Sequence, residues 1–511
     1  MLIQEVVFND KCYKLINSNK SQSENVYTII LGKNASGKSE LLRECISSIL
    51  RVKVEDEKFS PYNDLLDPYL NEKYKSLSPQ KTAKIKLTIT SKNCNSIIVK
   101  TSKTNEPRKI KNFKGDVTYL NDESFRYDSS ILFSDTTENE KKLFMDAKLI
   151  SVSESPYIKF PEMKENGTLN YHYLHHKKVN DSSMNFWNDD EKADNKVQTL
   201  TLSLLKLLSK KFPKAPYTIL EFVGLTSNIN IKLKLSSQHS RNSENLLSLY
   251  EKELKKSTEH FNLRDEISKA KSIIDLFNNT QGKENTLSQR FSSDIVKVRF
   301  TKDTPPQYCP KSLERLIEFG FVNLVETEFK SSDEWVNAMS LSSGQLSILN
   351  TVVGIDSLLE DNSVVFIDEP EISLHPEWQS TFMPFIGEQF KKYSNCHFII
   401  ATHSPHIISN VKPNSSFVVL IEDNDISTID GEDVSKKSTD LLLTQLFKTP
   451  GHKNEYLLRL LLTTYSKLVD KIELNKDDLD SLRIAKKYYQ GLDSDDPVKY
   501  IAEKALNLYA I

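Results

Sequence analysis

The chain has 511 residues, with 68 Lys and Arg against 70 Asp and Glu and a formal net charge of −2. That length allows two to four domains, each with a sizeable core, and the near-neutral balance excludes a chain-wide nucleic-acid or membrane-surface signature. The five cysteines (Cys12, Cys45, Cys94, Cys309, Cys396) are scattered without a C-x-x-C pair, and no apolar run approaches membrane-spanning length; the expectation is a cytoplasmic, globular protein with reduced thiols and no membrane segment.

The first predicted strands cover residues 2–8 and 26–31, separated by a polar turn at 17–24. The second runs into Gly32-Lys33-Asn34-Ala35-Ser36-Gly37-Lys38-Ser39 and then into a helix-like stretch at 40–46. This is G-x-x-x-x-G-K-S in the strand–loop–helix setting that a phosphate-binding loop requires. The two glycines let the backbone turn its N–H groups inward. The helix start adds partial positive charge, Lys38 reaches β- and γ-phosphates, and the Ser39 hydroxyl ligates Mg²⁺. A punctuated linker is expected over 53–80. Alternation at 84–90 and a run at 97–99 then predict an antiparallel arm. Residues 81–114 carry ten Lys and Arg and one acid, Glu106, so DNA or RNA could be tracked there by phosphate contacts; a solvated basic face is the simpler reading.

Residues 148–152 predict a short strand that opens into a polar loop, 153–161. From 161 to 330 the leucine spacing at 195–212 and 245–279 predicts a mainly helical insertion. His172, His175 and His176 lie in a loop without a carboxylate or cysteine at ligand spacing, so a surface loop is expected rather than a metal site. Leu341-Ser342-Ser343-Gly344-Gln345 precedes an apolar helix. Val364-Val365-Phe366-Ile367 then predicts a buried parallel strand ending in Asp368-Glu369-Pro370. The carboxyl end of such a strand is where open α/β sheets place ligand chemistry. Asp368 there suits Mg²⁺ and Glu369 suits polarising a water. A further buried run ends in Thr402-His403-Ser404-Pro405, and a last strand is expected at 417–421, meeting Glu422-Asp423. A nuclease of the Toprim type would place a glycine after such a glutamate, and none is there. The remainder from about 431 reads as a helical tail.

A phosphate-binding loop, LSSGQ, strand-DEP and strand-THS in that order resemble the ATP-binding-cassette (ABC) ATPases. The three hundred residues between Lys38 and Ser342, and the Ile372-Ser373-Leu374-His375-Pro376 sequel, resemble the soluble SMC/RecF-like class. Within it the chain is similar to defence-system ATPases of the Septu-type or retron-associated kind. The resemblance implies an α/β fold: an ABC ATPase head with a mixed sheet flanked by helices and an antiparallel β arm, a helical insertion and a helical C-terminal tail. Its head would come from residues 1–160 and 331–430, the insertion from 161–330 and the tail from 431–511. It implies ATP and Mg²⁺ as cofactors. Gly32, Lys33, Asn34, Ala35, Ser36, Gly37, Lys38 and Ser39 would bind one face of the nucleotide; Ser342, Gly344 and Gln345 of a second copy would bind the other. Ser39 and Asp368 would hold the metal, and Glu369 and His403 would act in hydrolysis. The family's glutamine in the loop after residue 152 is missing, with Ser153 or Glu154 as substitutes.

The implied partners are a second copy, as a homodimer or higher even oligomer with ATP between the heads, and a separate effector, a nuclease in antiphage defence. Leu457, Leu460, Leu461 and Leu468 would offer that effector an anchoring helix face. Two alternatives stand beside this reading: a RecF-like repair ATPase, and a nucleotide-gated scaffold with negligible turnover.

Overall fold

The computed structural model describes residues 1–8, 11–17, 24–32, 36–56, 85–90, 96–104, 108–111, 117–120, 126–133, 142, 144–155, 159–161, 170–174, 195–210, 214–236, 243–256, 262–279, 295–422, 425–447 and 451–509. Lys33, Asn34 and Ala35 of the glycine-rich loop, His175 and His176, and the linker beyond Asp56 lie outside them. The chain divides into two compact units, one built from residues 1–173 and 360–511 and the other from 174–359.

The first unit opens with β1 (Leu2–Phe8), β2 (Lys11–Lys14) and β3 (Val26–Gly32), then α1 (Lys38–Asp56). β4 (Ile85–Thr90), β5 (Ser96–Thr104), β6 (Arg108–Lys111), β7 (Val117–Leu120) and β8 (Arg126–Phe133) follow, then β9 (Leu149–Ser153) and β10 (Tyr171–Leu174). An antiparallel sheet in the order β2-β1-β4-β5-β8 forms the expected arm, beside a small β6-β7 ribbon. Strands numbered β11–β14 belong to the second unit. After it come β15 (Val364–Asp368), β16 (His397–Thr402), β17 (Ser416–Ile421) and β18 (Ile426–Asp430).

The central sheet runs β10-β9-β15-β16-β3-β17-β18. Its inner five strands are parallel to their neighbours, and β18 returns antiparallel along β17. The sheet therefore continues one strand beyond the end expected at 421. β3, β9, β15, β16 and β17 are buried at every position, as unbroken apolar runs covered on both faces must be. α1 presents Leu41, Leu42, Cys45, Ile46, Ile49 and Leu50 to the core, where they meet Ile3 and Val6 of β1, Ile30 of β3 and Phe366 of β15. That spacing is one apolar stripe of a helix. The helix extends past the residue where a linker was expected, because Lys53 is buried and its ammonium donates to the carbonyls of Met145 and Ala147 (2.9 and 2.6 Å).

One buried polar relay ties the arm to the sheet. His397 at the start of β16 accepts a hydrogen bond from the Ile3 N–H at Nδ1 (3.2 Å), and its Nε2 lies 2.9 Å from Thr28 Oγ1. Nδ1 must then be bare and Nε2 must carry the proton. Thr28 in turn donates to the Leu15 carbonyl (2.8 Å). The ring works only when neutral, and burial pushes its pKa down to about 3.

The tail contains helices Thr439–Gln445, Glu455–Val469, Lys476–Tyr488 and Pro497–Tyr509. Leu457 and Leu461 are buried in the tail's own core with Leu482, Ala485, Val498, Ala502 and Ala505, and Leu468 packs against that cluster. The face expected to anchor an effector is thus largely consumed by neighbouring helices of the tail. The large apolar side chains the tail leaves exposed are Leu462, Val469, Ile472, Tyr500, Leu508 and Tyr509.

Besides the helices expected over 161–330, the second unit holds a sheet that the sequence pattern did not suggest. Helices Asn195–Leu208, Ala215–Phe222, Ser243–Lys256, Leu263–Asn279 and Pro310–Glu318 surround an antiparallel sheet ordered β12-β11-β13-β14. Its strands are β11 (Asn228–Leu235), β12 (Ile295–Thr301), β13 (Val322–Lys330) and β14 (Trp335–Asn337). Ile229, Ile231 and Leu233 of β11 and Val296, Val298 and Phe300 of β12 alternate inward. The intervening Lys232 instead pairs with Glu326 and Glu328 across β13 (2.5 and 2.7 Å). Period-two patterning won over the surrounding helical spacing.

The His397 relay makes stability pH-dependent in a defined direction. The folded pKa lies below the ordinary 6.5, so the full contribution is present above pH 6.5 and is lost as pH falls toward 3. Between pH 6.5 and 5.0 the loss from this one ring is about 2 kcal/mol. Urea unfolding at the two pH values should show it, and His397→Gln, which cannot titrate, should show a smaller difference; an equal difference in both proteins contradicts the assignment.

Candidate functional site

The parallel register decides where the site lies. Asp368 at the end of β15 is level with Ala401 of β16 and Ser153 of β9, and Ala401 is level with Ile30 of β3. The carboxyl ends of four strands therefore meet at one edge of the sheet, where α1 begins. Gly32 closes β3 there. A Cβ at Gly32 would stand 2.6 Å from Ser36 Oγ and 3.2 Å from the Ile421 carbonyl oxygen, so any larger residue would push on the loop and on the end of β17. Gly37 has φ +83°, a left-handed conformation that side chains disfavour.

Lys38, the first residue of α1, is almost completely buried and donates from Nζ to the Gly32 carbonyl (2.8 Å) and to His403 Nε2 (2.9 Å). Burial pulls its pKa down to about 8, against the opposing pull of Glu369, Asp368 and Glu371. An ammonium only donates, so His403 accepts at Nε2 and is neutral there; burial and the Lys38 charge both hold its pKa below the ordinary value. Ser39 donates from Oγ to Asp368 Oδ1 (2.9 Å). Asp368 is fully buried, and burial raises its pKa to about 6.

The other carboxylate oxygen, Asp368 Oδ2, is buried without a hydrogen-bond partner among the described residues. Leaving such a group unsatisfied costs about 1–3 kcal/mol or more, and a hard cation would relieve it. A hydroxyl oxygen and a carboxylate oxygen side by side are the donor set that suits Mg²⁺, which is usually held by one or two protein oxygens together with phosphates and water. Among the described residues no group of three or more His, Cys, Asp and Glu has the arrangement to hold a metal by itself. The residues fit a metal that arrives with a phosphate ligand.

Glu369 follows with φ +52°, left-handed for a residue with a side chain. Its N–H donates to the Ala401 carbonyl (2.9 Å), and its Oε1 lies 3.8 Å from His403 Nε2. Strain of this kind, of order 1–3 kcal/mol, persists where surrounding structure enforces it and clusters at functional sites. Two residues in the pocket were not singled out from sequence. Glu371 accepts from the His403 N–H (2.5 Å) and the Thr402 hydroxyl (2.9 Å), clamping the turn that carries His403. Lys159 places Nζ 4.0 Å from Glu369 Oε2. The signal for Glu371 was its place one residue past Pro370; Lys159 had none beyond its loop.

Ser342, Gly344 and Gln345 lie in the second unit. Ser342 caps the helix Ser343–Ile348, which continues through a π-helical turn, Leu349–Val353, into Gly354–Leu358. Ser342 Oγ accepts from the Gln345 N–H, and Gln345 returns the bond to the Ser342 N–H (3.2 and 3.0 Å). The Gln345 amide also donates to the Val223 carbonyl (3.0 Å), so that side chain holds its own loop. Ser342 is exposed and Gly344 buried. Ser36 is half-buried beside Lys38, 3.5 Å from its Nζ.

Residues 224–409 match the family described as "AAA domain, putative AbiEii toxin, Type IV TA system". The chain is 34% identical over 87 residues to the "Retron Ec83 probable ATPase" of Escherichia coli, covering 15% of this chain and 16% of that protein. It is 27% identical over 144 residues to the "Retron Vc95 probable ATPase" of Vibrio cholerae serotype O1 biovar El Tor, covering 26% of each. The matched stretches span about a quarter or less of these relatives' lengths. The chain resembles retron-associated ATPases, as its motifs imply. Among solved structures, an SMC head bound to the C-terminal winged-helix domain of ScpA aligns at 10% identity, covering 85% of this chain and 99% of that one, with a TM-score of 0.33. The SMC head domain from Thermotoga maritima aligns at 12% identity, covering 84% and 99%, with a TM-score of 0.30.

The clamp on His403 is directly measurable. Glu371→Ala leaves the Thr402 hydroxyl and the His403 N–H without their acceptor and should lower unfolding free energy by about 1–3 kcal/mol, with Glu371→Gln losing less. An alanine variant as stable as the parent in urea would show that the clamp carries no weight.

Proposed function

We propose that this chain binds and hydrolyses ATP with Mg²⁺ at the strand-end pocket, and that the nucleotide state switches the association of two copies. The observation that carries this is the convergence of Lys38, Ser39, Asp368, Glu369 and His403 from two strand ends and one helix start, around a buried carboxylate oxygen with no partner among the described residues.

On this reading Lys38 exchanges its bonds to the Gly32 carbonyl and His403 for β- and γ-phosphate oxygens. Lys33, Asn34, Ala35, Ser36 and Gly37 would wrap the phosphates with backbone N–H groups. Ser39 and Asp368 would hold Mg²⁺, whose chemistry here is to neutralise phosphate charge. Glu369 orients the attacking water and takes its proton. His403, released from Lys38, faces the γ-phosphate as a neutral imidazole, able to donate one hydrogen bond without adding charge. These are positioning and electrostatic roles, which is how phosphoryl transfer is catalysed. Ser342 Oγ and the Gly344 N–H of a second copy would close the other side of the nucleotide, giving a homodimer or a higher even oligomer. Hydrolysis removes that bridge and loosens the pair.

The retron ATPase relatives support a setting in antiphage defence, and we propose further that the switch governs a separate effector nuclease there. The exposed tail residues Leu462, Val469 and Tyr500 are the side chains we assign to effector docking. The basic stretch 81–114, in the antiparallel arm and the β6-β7 ribbon, would carry any contact to DNA or RNA. Cys12, Cys45, Cys309 and Cys396 are free thiols, and no described helix is long and apolar enough to cross a membrane.

Lys38→Ala should weaken ATP binding about tenfold or more, the worth of a charged hydrogen bond of about 1.5–3 kcal/mol. Glu369→Gln should bind ATP within about twofold of the parent yet lose turnover about a hundredfold, the scale of a general base. In MgATP the same variant should double in mass by light scattering, and adding Ser342→Arg should abolish that. Unaltered ATP affinity in Lys38→Ala would overturn the proposal.

A further inference from the structure

We infer that Lys159 is a positioning residue of this pocket, holding and screening the Glu369 carboxylate so that a triphosphate can be accommodated beside it. The inference rests on the ATP reading above and adds a residue that the motifs do not contain. Lys159 Nζ is 4.0 Å from Glu369 Oε2, while the other carboxylate oxygen lies 3.8 Å from His403. Glu369 is thus flanked by one cation and one neutral ring. The Lys159 charge also acts on Lys38, Asp368 and His403, so it faces the shared space of the pocket.

The backbone beneath Lys159 is held firmly. Its N–H donates to the Tyr173 hydroxyl (3.2 Å), and the next residue, Phe160, is buried edge-on to the Tyr173 ring at 5.6 Å. Pro161 accepts from the Tyr171 hydroxyl (2.9 Å), which also meets Ser151 Oγ of β9 (2.8 Å). Residues 159–161 are therefore fastened to β9 and β10, whereas the Lys159 side chain, 27% exposed, stays free to follow its partner. The two residues expected to serve this loop are placed differently. Ser153 is buried and accepts from the Ser155 N–H (3.3 Å), stabilising a local turn. Glu154 is an anion and would add to the repulsion rather than offset it.

The physical need is specific. The Glu369 carboxylate and a γ-phosphate would stand a few ångströms apart, and two negative groups at that distance repel strongly in a half-buried site. A cation on the far side of the carboxylate offsets that repulsion and fixes the carboxylate's direction. A diphosphate leaves the space nearest Glu369 unfilled and does not require the cation. Lys159 therefore contributes to discrimination between ATP and ADP through Glu369.

The test is equilibrium binding of MgATP and MgADP to the full chain and its variants, with thermal melting as the folding control. Lys159→Ala should weaken MgATP about fivefold, the upper end of the scale for a partly exposed charge pair, and leave MgADP within about twofold. Lys159→Arg should restore MgATP affinity. In a Glu369→Gln background, where the repelling charge is gone, adding Lys159→Ala should change MgATP affinity less than twofold. An equal loss for both nucleotides, or the full loss persisting in the Glu369→Gln background, overturns the inference while leaving the ATP pocket intact. A parent chain that binds neither nucleotide would overturn the ATP reading itself, and this inference with it.

Discussion

The buried carboxylate of Asp368 is the constraint on which the rest of the pocket depends. An ionised group in a dry interior is costly unless it is paired, and here one oxygen is held by Ser39 while the other has no partner among the described residues. The protein tolerates this because five parallel strands place the group at the end of β15, beside the start of α1 and the turn after β16. Those elements are rigid for independent reasons: unbroken apolar strands, a helix with a full apolar stripe, and the His397–Thr28 relay. Stability stored in the sheet is what allows strain and an unsatisfied charge at its edge.

The charges around Asp368 form a system that makes sense only with an anion inside it. Lys38 donates to a carbonyl and to a neutral histidine, and burial lowers its pKa. Asp368 is pushed the other way, toward protonation. Each group is worse off buried than in water, and both would recover on meeting a phosphate with its metal. A pocket poised in that way couples ligand binding to local rearrangement at Lys38 and His403. On the proposed reading, that coupling would be the physical root of a nucleotide switch.

Much of this was legible in sequence because the informative residues sit within a few positions of each other. Gly32 with Lys38 and Ser39, Asp368 with Glu369, and Thr402 with His403 each lie at a strand end or a few residues beyond it, where local pattern and local structure coincide. Glu371 and Lys159 were not legible because their roles arise from pairings across the fold, with His403 and with Glu369. The sheet of the second unit was missed for another reason. Alternation in NINIKLKL is short, and it lies among longer segments of helical spacing. The apolar positions of the tail were read correctly as a helix face, but only the folded tail shows that Leu457 and Leu461 face other tail helices.

The central claim is that Asp368 and Ser39 complete their coordination with a metal that enters alongside a triphosphate. Binding of Mn²⁺, used in place of Mg²⁺ and followed by electron paramagnetic resonance, measures that claim most directly. Asp368→Asn suits the comparison because burial already disfavours the charge at that position, so the variant should fold. The account predicts that the parent chain binds Mn²⁺ tightly only when ATP is present, and that Asp368→Asn loses that binding. Mn²⁺ binding with ATP that is equal in the parent and in Asp368→Asn would contradict it.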